Sequence, residues 1–302
     1  MSARDAHRRA SGYSVIELLI AIALTAIVTS QLLLVWTSQH QNYIQQERVS
    51  TTQQDMRLIT DVLINDLRMA GFMVPKETAA GSNDGGATGP DVLCVSDPGA
   101  FDEAEYEDAT ERFEAAEVTT TVAGSISSVT LRNTTIDIDL DGSGDFTLGG
   151  GILISDGTDV HCAEITSLAG GVVGFSPATP STISMSPLST FAVPALVYRV
   201  TGTTLTRNGL VLSNQVDDLQ LEWWVDDDGD AEIDAGEFPI HDLDGEDTSK
   251  MRLARIYLTT RSAVPDPTID GQRTAAANRN AGAADKFRRR RAIADARLRN
   301  AR

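Results

Sequence analysis

Residues 226–237 read Asp-Asp-Asp-Gly-Asp-Ala-Glu-Ile-Asp-Ala-Gly-Glu, and their acids recur at the spacing that wraps oxygen ligands around a calcium ion. Asp226, Asp228 and Asp230 fall at positions 1, 3 and 5 of such a loop. Glu232 would offer its backbone carbonyl at position 7, and Asp234 a direct or water-borne contact at position 9. Glu237 stands at position 12, where one carboxylate supplies two oxygens, and Ile233 at position 8 is the apolar anchor. Calcium takes about six to eight hard oxygens, which this register can supply. Ala231 departs from the pattern at position 6, where glycine permits the sharp turn, and Gly229 would absorb part of the bend. An acidic, solvated hairpin tip is the competing reading. Asp137, Asp139, Asp141, Gly142 and Asp145 start a second such loop but end at Leu148, not glutamate. Their alternation with Ile136, Ile138 and Leu140 suits a strand entering a turn. Asp242, Asp244 and Glu246 form a weaker third group.

Two cysteines, Cys94 and Cys162, could form one intramolecular bridge in an oxidising compartment, or remain as two buried thiols. A bridge would close a loop of about 70 residues and stabilise the fold by a few kcal/mol. No CxxC or Cys/His spacing suggests zinc. The histidines, His7, His40, His161 and His241, are scattered, and no GxSxG, phosphate-loop or HExxH motif occurs. Catalysis is therefore not expected.

The elements that must carry these residues begin at the N-terminus. Gly12-Tyr13-Ser14-Val15-Ile16-Glu17 leads directly into an apolar run over residues 18–36. A short basic segment with Arg4, Arg8 and Arg9 precedes it. The run is long enough to span a bilayer. An ordinary signal peptide would carry a small-residue cleavage site after the run, and none follows. A plain anchor explains the span but not the pairing of Gly12 with Glu17. A carboxylate inside a membrane costs a few kcal/mol on insertion scales, so it calls for a partner.

This junction resembles the type IV prepilin class, in which glycine, an aromatic, Ser or Thr, two aliphatics and glutamate precede the apolar helix. The resemblance implies cleavage after Gly12 by a prepilin peptidase, N-methylation of Tyr13, and pairing of Glu17 with the N-terminal amine of a neighbouring subunit. Leu34 stands where major pilins often carry proline, which fits a minor subunit.

Helical spacing continues beyond the run. Met56, Ile59, Leu63, Leu67 and Ala70 recur at three- and four-residue steps, and Gly71 is a natural stop. The chain from Tyr13 to Ala70 holds no Gly or Pro, so one helix of about 55 residues is expected, its first third in the membrane and its last half on a soluble domain. Residues 72–117 read as patternless, with Gly81, Gly85, Gly86, Gly89 and Pro90 making a loop and 102–108 an acidic run. Strands are predicted at 118–122, 128–132, 151–154, 160–165, 172–175, 192–200, 203–206, 210–212, 219–225 and 252–259. Asn208-Gly209 marks a hairpin turn. The predicted fold class is α+β: a long N-terminal helix on a mostly antiparallel sheet, divided into a leader (1–12), the helix (13–71, transmembrane over 14–36) and a head (72–302).

Charge is uneven. Residues 273–302 hold ten basic and two acidic side chains, net +8, while the rest holds 15 basic and 41 acidic, net −26. So acidic a body repels nucleic acid. Hydrophobic content of 41% suffices for a core, and aromatic content of 5% makes it aliphatic. Residues 263–285, with Pro265 and Pro267, read as a flexible loop.

A narrower resemblance covers the head. Asp66-Leu67-Arg68-Met69-Ala70-Gly71-Phe72, Tyr198-Arg199-Val200, Leu205-Thr206-Arg207-Asn208-Gly209, Val216-Asp217-Asp218-Leu219-Gln220, Phe287-Arg288-Arg289-Arg290 and Arg297-Leu298-Arg299-Asn300 are similar, in order, to the PilW-like minor pilins, and slightly less to J-type pseudopilins of type II secretion. The resemblance implies that the basic C-terminal segment is a strand, although Ala292 to Arg302 is rich in helix formers. A solvated tail that binds anionic surfaces is the alternative. The resemblance further implies other minor pilins, the major pilin, the inner-membrane assembly platform and a tip adhesin as partners. The head would lie in the periplasm before assembly and on the cell-surface fibre after it. A pseudopilin or a signal-anchored calcium-dependent binding protein are the other functions the sequence allows.

Overall fold

The computed structural model describes residues 14–72, 74–97, 118–119, 124–132, 144–180, 183, 190–230, 232–234, 236–243 and 245–298. Contacts divide the chain into two compact units, Met1–Ser50 and Thr51–Arg302. The helix α1 (Val15–Met69) runs through both for 55 residues, the length expected from the absence of Gly and Pro.

In the first unit, α1 is predominantly apolar around its circumference over residues 18–36 and polar over residues 37–50. Its most apolar 18-residue window has a mean hydropathy of 2.5 with none of it buried, so it is long and apolar enough to cross a membrane. The hydroxyls of Thr25, Thr29, Ser30 and Thr37 donate to carbonyls of the preceding turn. These hydroxyls are thus satisfied inside the helix, as a lipid setting requires.

In the second unit, the end of α1 buries Ile59, Leu63 and Leu67 of the predicted stripe, with Met56 partly buried before them and Ala70 buried just after the helix. Gly71 ends the helix at φ +78°, a left-handed conformation that glycine adopts at little cost, and its N–H donates to Ser96 Oγ at 2.9 Å. The strands follow: β1 (Ala80–Asn83), β2 (Val92–Ser96), β3 (Ser128–Thr130), β4 (Gly151–Ser155), β5 (Val160–Ala169), β6 (Val172–Ser176), β7 (Phe191–Thr201), β8 (Thr204–Arg207), β9 (Leu210–Ser213), β10 (Val216–Val225), β11 (Met251–Arg261), β12 (Gly271–Gln272), β13 (Ala284–Asp285) and β14 (Arg289–Arg297). Among the described residues, the larger sheet runs β1-β2-β7-β4-β5-β6-β3, with the β8–β9 hairpin attached to β7. A smaller sheet runs β10-β11-β14, and β12 pairs β13. Every ladder is antiparallel. Helix and sheets close over one aliphatic core that also takes in Trp223 and Tyr198. The architecture is α+β.

The Asn208-Gly209 turn joins β8 to β9 with both residues at positive φ, as a two-residue hairpin requires. The expected loop holds at Gly85, Gly86, Gly89 and Pro90, which turn the chain from β1 into β2, and is corrected at Gly81, which lies in β1 and pairs with β2. Gly81 lies opposite Cys94 in that ladder, and a Cβ on it would come within 2.9 Å of Leu153 Cδ2. Its glycine marks a close approach within a sheet, not a loop. The basic C-terminal segment is the strand β14, in register with β11 from Leu253↔Arg297 to Arg261↔Arg289. The expected flexible loop over 263–285 is also corrected, because it carries the β12–β13 ladder.

Candidate functional site

The acidic loop connects β10 to β11. Asp226 N–H donates to Lys250 O at 2.9 Å, and Trp223 and Ile240 exchange two backbone bonds of 2.8 Å, so the loop is cinched where it leaves and re-enters the sheet. The structure gathers one oxygen each from Asp226, Asp228 and Glu237 within 4.8 Å of one another. Calcium–oxygen distances of roughly 2.3–2.6 Å allow ligands up to about 5 Å apart across one ion, so these three fit one coordination sphere.

Asp226 is fully buried. One of its oxygens accepts Gly229 N–H at 2.7 Å, and the other lies 3.2 Å from Arg252 Nε. Arg252 is held in turn by the carbonyls of Ser249 and Met251. A fixed guanidinium thus offsets one of the three converging carboxylates and competes with any cation for Asp226. Glu237 accepts from Asp227 N–H at 2.8 Å and Asp234 N–H at 3.1 Å, which ties the last ligand position back to the first turn. Asp230 and Asp234, expected as ligands, are not among the three converging acids; each accepts a backbone amide through one carboxylate oxygen, from Glu232 N–H and Gly236 N–H at 2.7 and 2.8 Å. Glu232, expected to ligate through its carbonyl, donates its N–H to Asp230. Ala231 lies outside the described residues, as do Asp137, Asp139, Asp141 and Asp244.

Cys94 and Cys162 are joined, Cα to Cα 5.6 Å, linking β2 to β5 across 68 residues. Gly12 and Tyr13 lie outside the described residues. Glu17 stands in the first turn of α1, on the exposed helix surface amid apolar side chains.

The separated sequence landmarks meet in space. Tyr198 Oη donates to Asp66 Oδ2 on α1, and Arg207 Nε donates to the same oxygen at 3.0 Å. Burial and the neighbouring Asp66 hold the Tyr198 hydroxyl protonated far above its ordinary range. Asp217 receives Arg289 at 2.8 Å. Asp218, wholly buried, receives Arg273 at 3.1 Å and also Arg279. Sequence reasoning missed this last group. The sequence offered as signal Asp218 in the 216–220 landmark and two arginines inside a segment that reads as a flexible loop.

Chemically, the acidic loop brings together three carboxylates of the kind that coordinate a hard cation, and the remaining ionic groups pin elements together. No protein-family model, no curated protein and no solved structure matches this chain.

Proposed function

We propose that this chain is a minor subunit of a type IV pilus, inserted in the inner membrane by α1 and drawn into the fibre after cleavage following Gly12. The observation that carries the reading is the Gly12 to Glu17 junction running into a 55-residue helix whose N-terminal part is predominantly apolar around its circumference. In this mechanism, release of the apolar helix from lipid is offset by packing among other subunit helices. Glu17 sets axial register by pairing with the methylated Tyr13 amine of a neighbour, because two opposite charges in a dry core are tolerated together and each is costly alone. The head meets other minor pilins, the major pilin and a tip adhesin at the initiating end, and calcium held by Asp226, Asp228 and Glu237 stiffens one of its loops.

The test is the yield of sheared surface pili from a strain lacking this chain. Pili should disappear, return with the wild-type chain, and stay absent with Glu17→Ala. Unchanged pili in the deletion would overturn the reading and favour a J-type pseudopilin, for which the measured quantity would be exported protein.

A further inference from the structure

The strand β14 is the outer member of the β10-β11-β14 sheet and pairs only with β11 among the described residues. The hydrogen-bonding phase of that ladder tells which of its backbone groups are used. Leu298 N–H donates to Arg252 O, and Ser262 N–H donates to Arg288 O. Both pairs keep the register Leu253↔Arg297, so the even-numbered residues of β14 face β11 with their N–H and C=O groups. The odd-numbered residues direct theirs to the other edge. Of these, Arg291, Ile293, Asp295 and Arg297 have no backbone hydrogen-bond partner on that edge among the described residues.

The side chains along this edge follow a pattern. Ile293, at its centre, is 58% exposed, unusual for a large aliphatic residue, and is flanked by Ala292 and Ala294. Five of the basic residues counted in the C-terminal segment are spent within the chain: Arg273 and Arg279 on Asp218, Lys286 on Asp270, Arg288 on Asp266, and Arg289 on Asp217 and Asp285. Arg290 and Arg297, near the two ends of β14, are exposed and have no carboxylate partner among the described residues. Edge strands are blunted by proline, bulges, short length or charged side chains; this nine-residue strand has no proline or bulge, and its exposed charges at Arg290 and Arg297 repel a basic strand while admitting an acidic one.

We propose that the free edge of β14 is a strand-addition site for an extended segment of another protein, apolar at its centre and acidic at its ends. Main-chain bonds to the odd-numbered residues would supply affinity. Ile293 and the two unpaired arginines would select the segment. The charge pattern argues for a partner acidic at both ends, because the edge is basic while the rest of the chain is strongly acidic. This inference stands apart from the fibre reading and from the calcium loop.

The experiment uses the full chain in detergent micelles and a fluorescent octapeptide, Asp-Thr-Val-Thr-Val-Thr-Val-Asp, whose two acids are seven positions apart like Arg290 and Arg297 and so meet them on their respective faces of the sheet, followed by anisotropy. Saturable binding is expected. Ile293→Pro, which deletes an outward N–H and leaves the β11 ladder intact, should weaken it about tenfold. The double variant Arg290→Glu with Arg297→Glu changes only exposed side chains and decides the matter should the proline disturb folding. It should lose affinity for the acidic-ended peptide and gain it for a lysine-ended one. Absence of saturable binding, or equal affinity in these variants, would overturn the proposal.

Discussion

Asp91 shows how much a single carboxylate can be asked to do in this head. It is almost wholly buried, and its two oxygens accept Gly85 N–H at 2.9 Å and Leu221 N–H at 2.7 Å, which staples the glycine-rich turn to β10. Those bonds favour the charged form. Burial outweighs them, and the nearby acids Asp84 and Asp218 add to it, so the carboxyl is pushed up to about 7. The folded chain therefore binds this proton more readily than the unfolded chain, whose value is near 3.8. The resulting stability is fully present below pH 3.8 and is lost as pH rises through about 7. Asp266 and Asp285 have the opposite sign. Their hydrogen bonds, from Thr268 and from Arg289 respectively, hold them at about 2, so the stability they add is lost only in strong acid. Between pH 5 and 8 the two effects separate. Denaturant melts should show the wild-type midpoint falling from pH 5 to pH 8, and Asp91→Asn should flatten that dependence. A variant as pH-sensitive as the wild type would assign the effect to other groups.

At the scale of elements, the hairpin β12–β13 and the chain around it are fastened by charge, not by apolar burial. Arg273 and Arg279 converge on Asp218, and Arg279 also donates to Thr88 O at 3.1 Å. Removing the acid leaves two guanidinium groups in a site with little water. Asp218→Ala should therefore cost about 3–5 kcal/mol, the range for breaking a buried pair from one side, read as a lowered denaturation midpoint. Replacing both arginines and the acid by apolar residues should cost much less, because no uncompensated charge remains. This fastening is also where the sequence was least legible. Periodicity foretold α1 because Ile59, Leu63 and Leu67 repeat one helical face, and short strand-like runs between turn residues foretold β4 to β11, although β4, β7 and β10 bury both faces. Periodicity is silent about β1, a four-residue strand with glycine at its centre, chosen because a side chain there would collide with Leu153. Local propensity favours helix over the alanines and arginines of β14. The nine-residue ladder with β11 overrides it, since strand preference depends on the neighbour a residue is paired with. The calcium spacing was fully visible as a string. Only the fold tells which acids converge, because spacing along the string does not fix where the turn brings each carboxylate.

Across the whole molecule, charge sets the terms on which a cation could act. The chain carries −18, and the acidic loop concentrates several of these charges at one tip of the head. Arg252 neutralises part of that density from inside, so the loop can hold its shape with the three carboxylates converging. A bound calcium ion would bridge Asp226 at the end of β10 to Glu237 near the return toward β11, joining both sides of the small sheet's connection through one ion. Binding to the folded state alone raises stability by about 2.7 kcal/mol at a hundredfold excess over Kd. The chain lacking residues 1–40 keeps the compact unit Thr51–Arg302 intact and suits the measurement. Its thermal midpoint should rise by several degrees with calcium, and rise much less with magnesium at equal ionic strength, because magnesium demands a tighter octahedron and gives up its water reluctantly. Asp228→Ala removes an exposed ligand without touching the buried Asp226–Arg252 pair, so the variant should fold normally and lose the calcium response. An equal shift in the variant would show that calcium acts by screening the net charge, and the loop would then be an acidic tip held by Arg252.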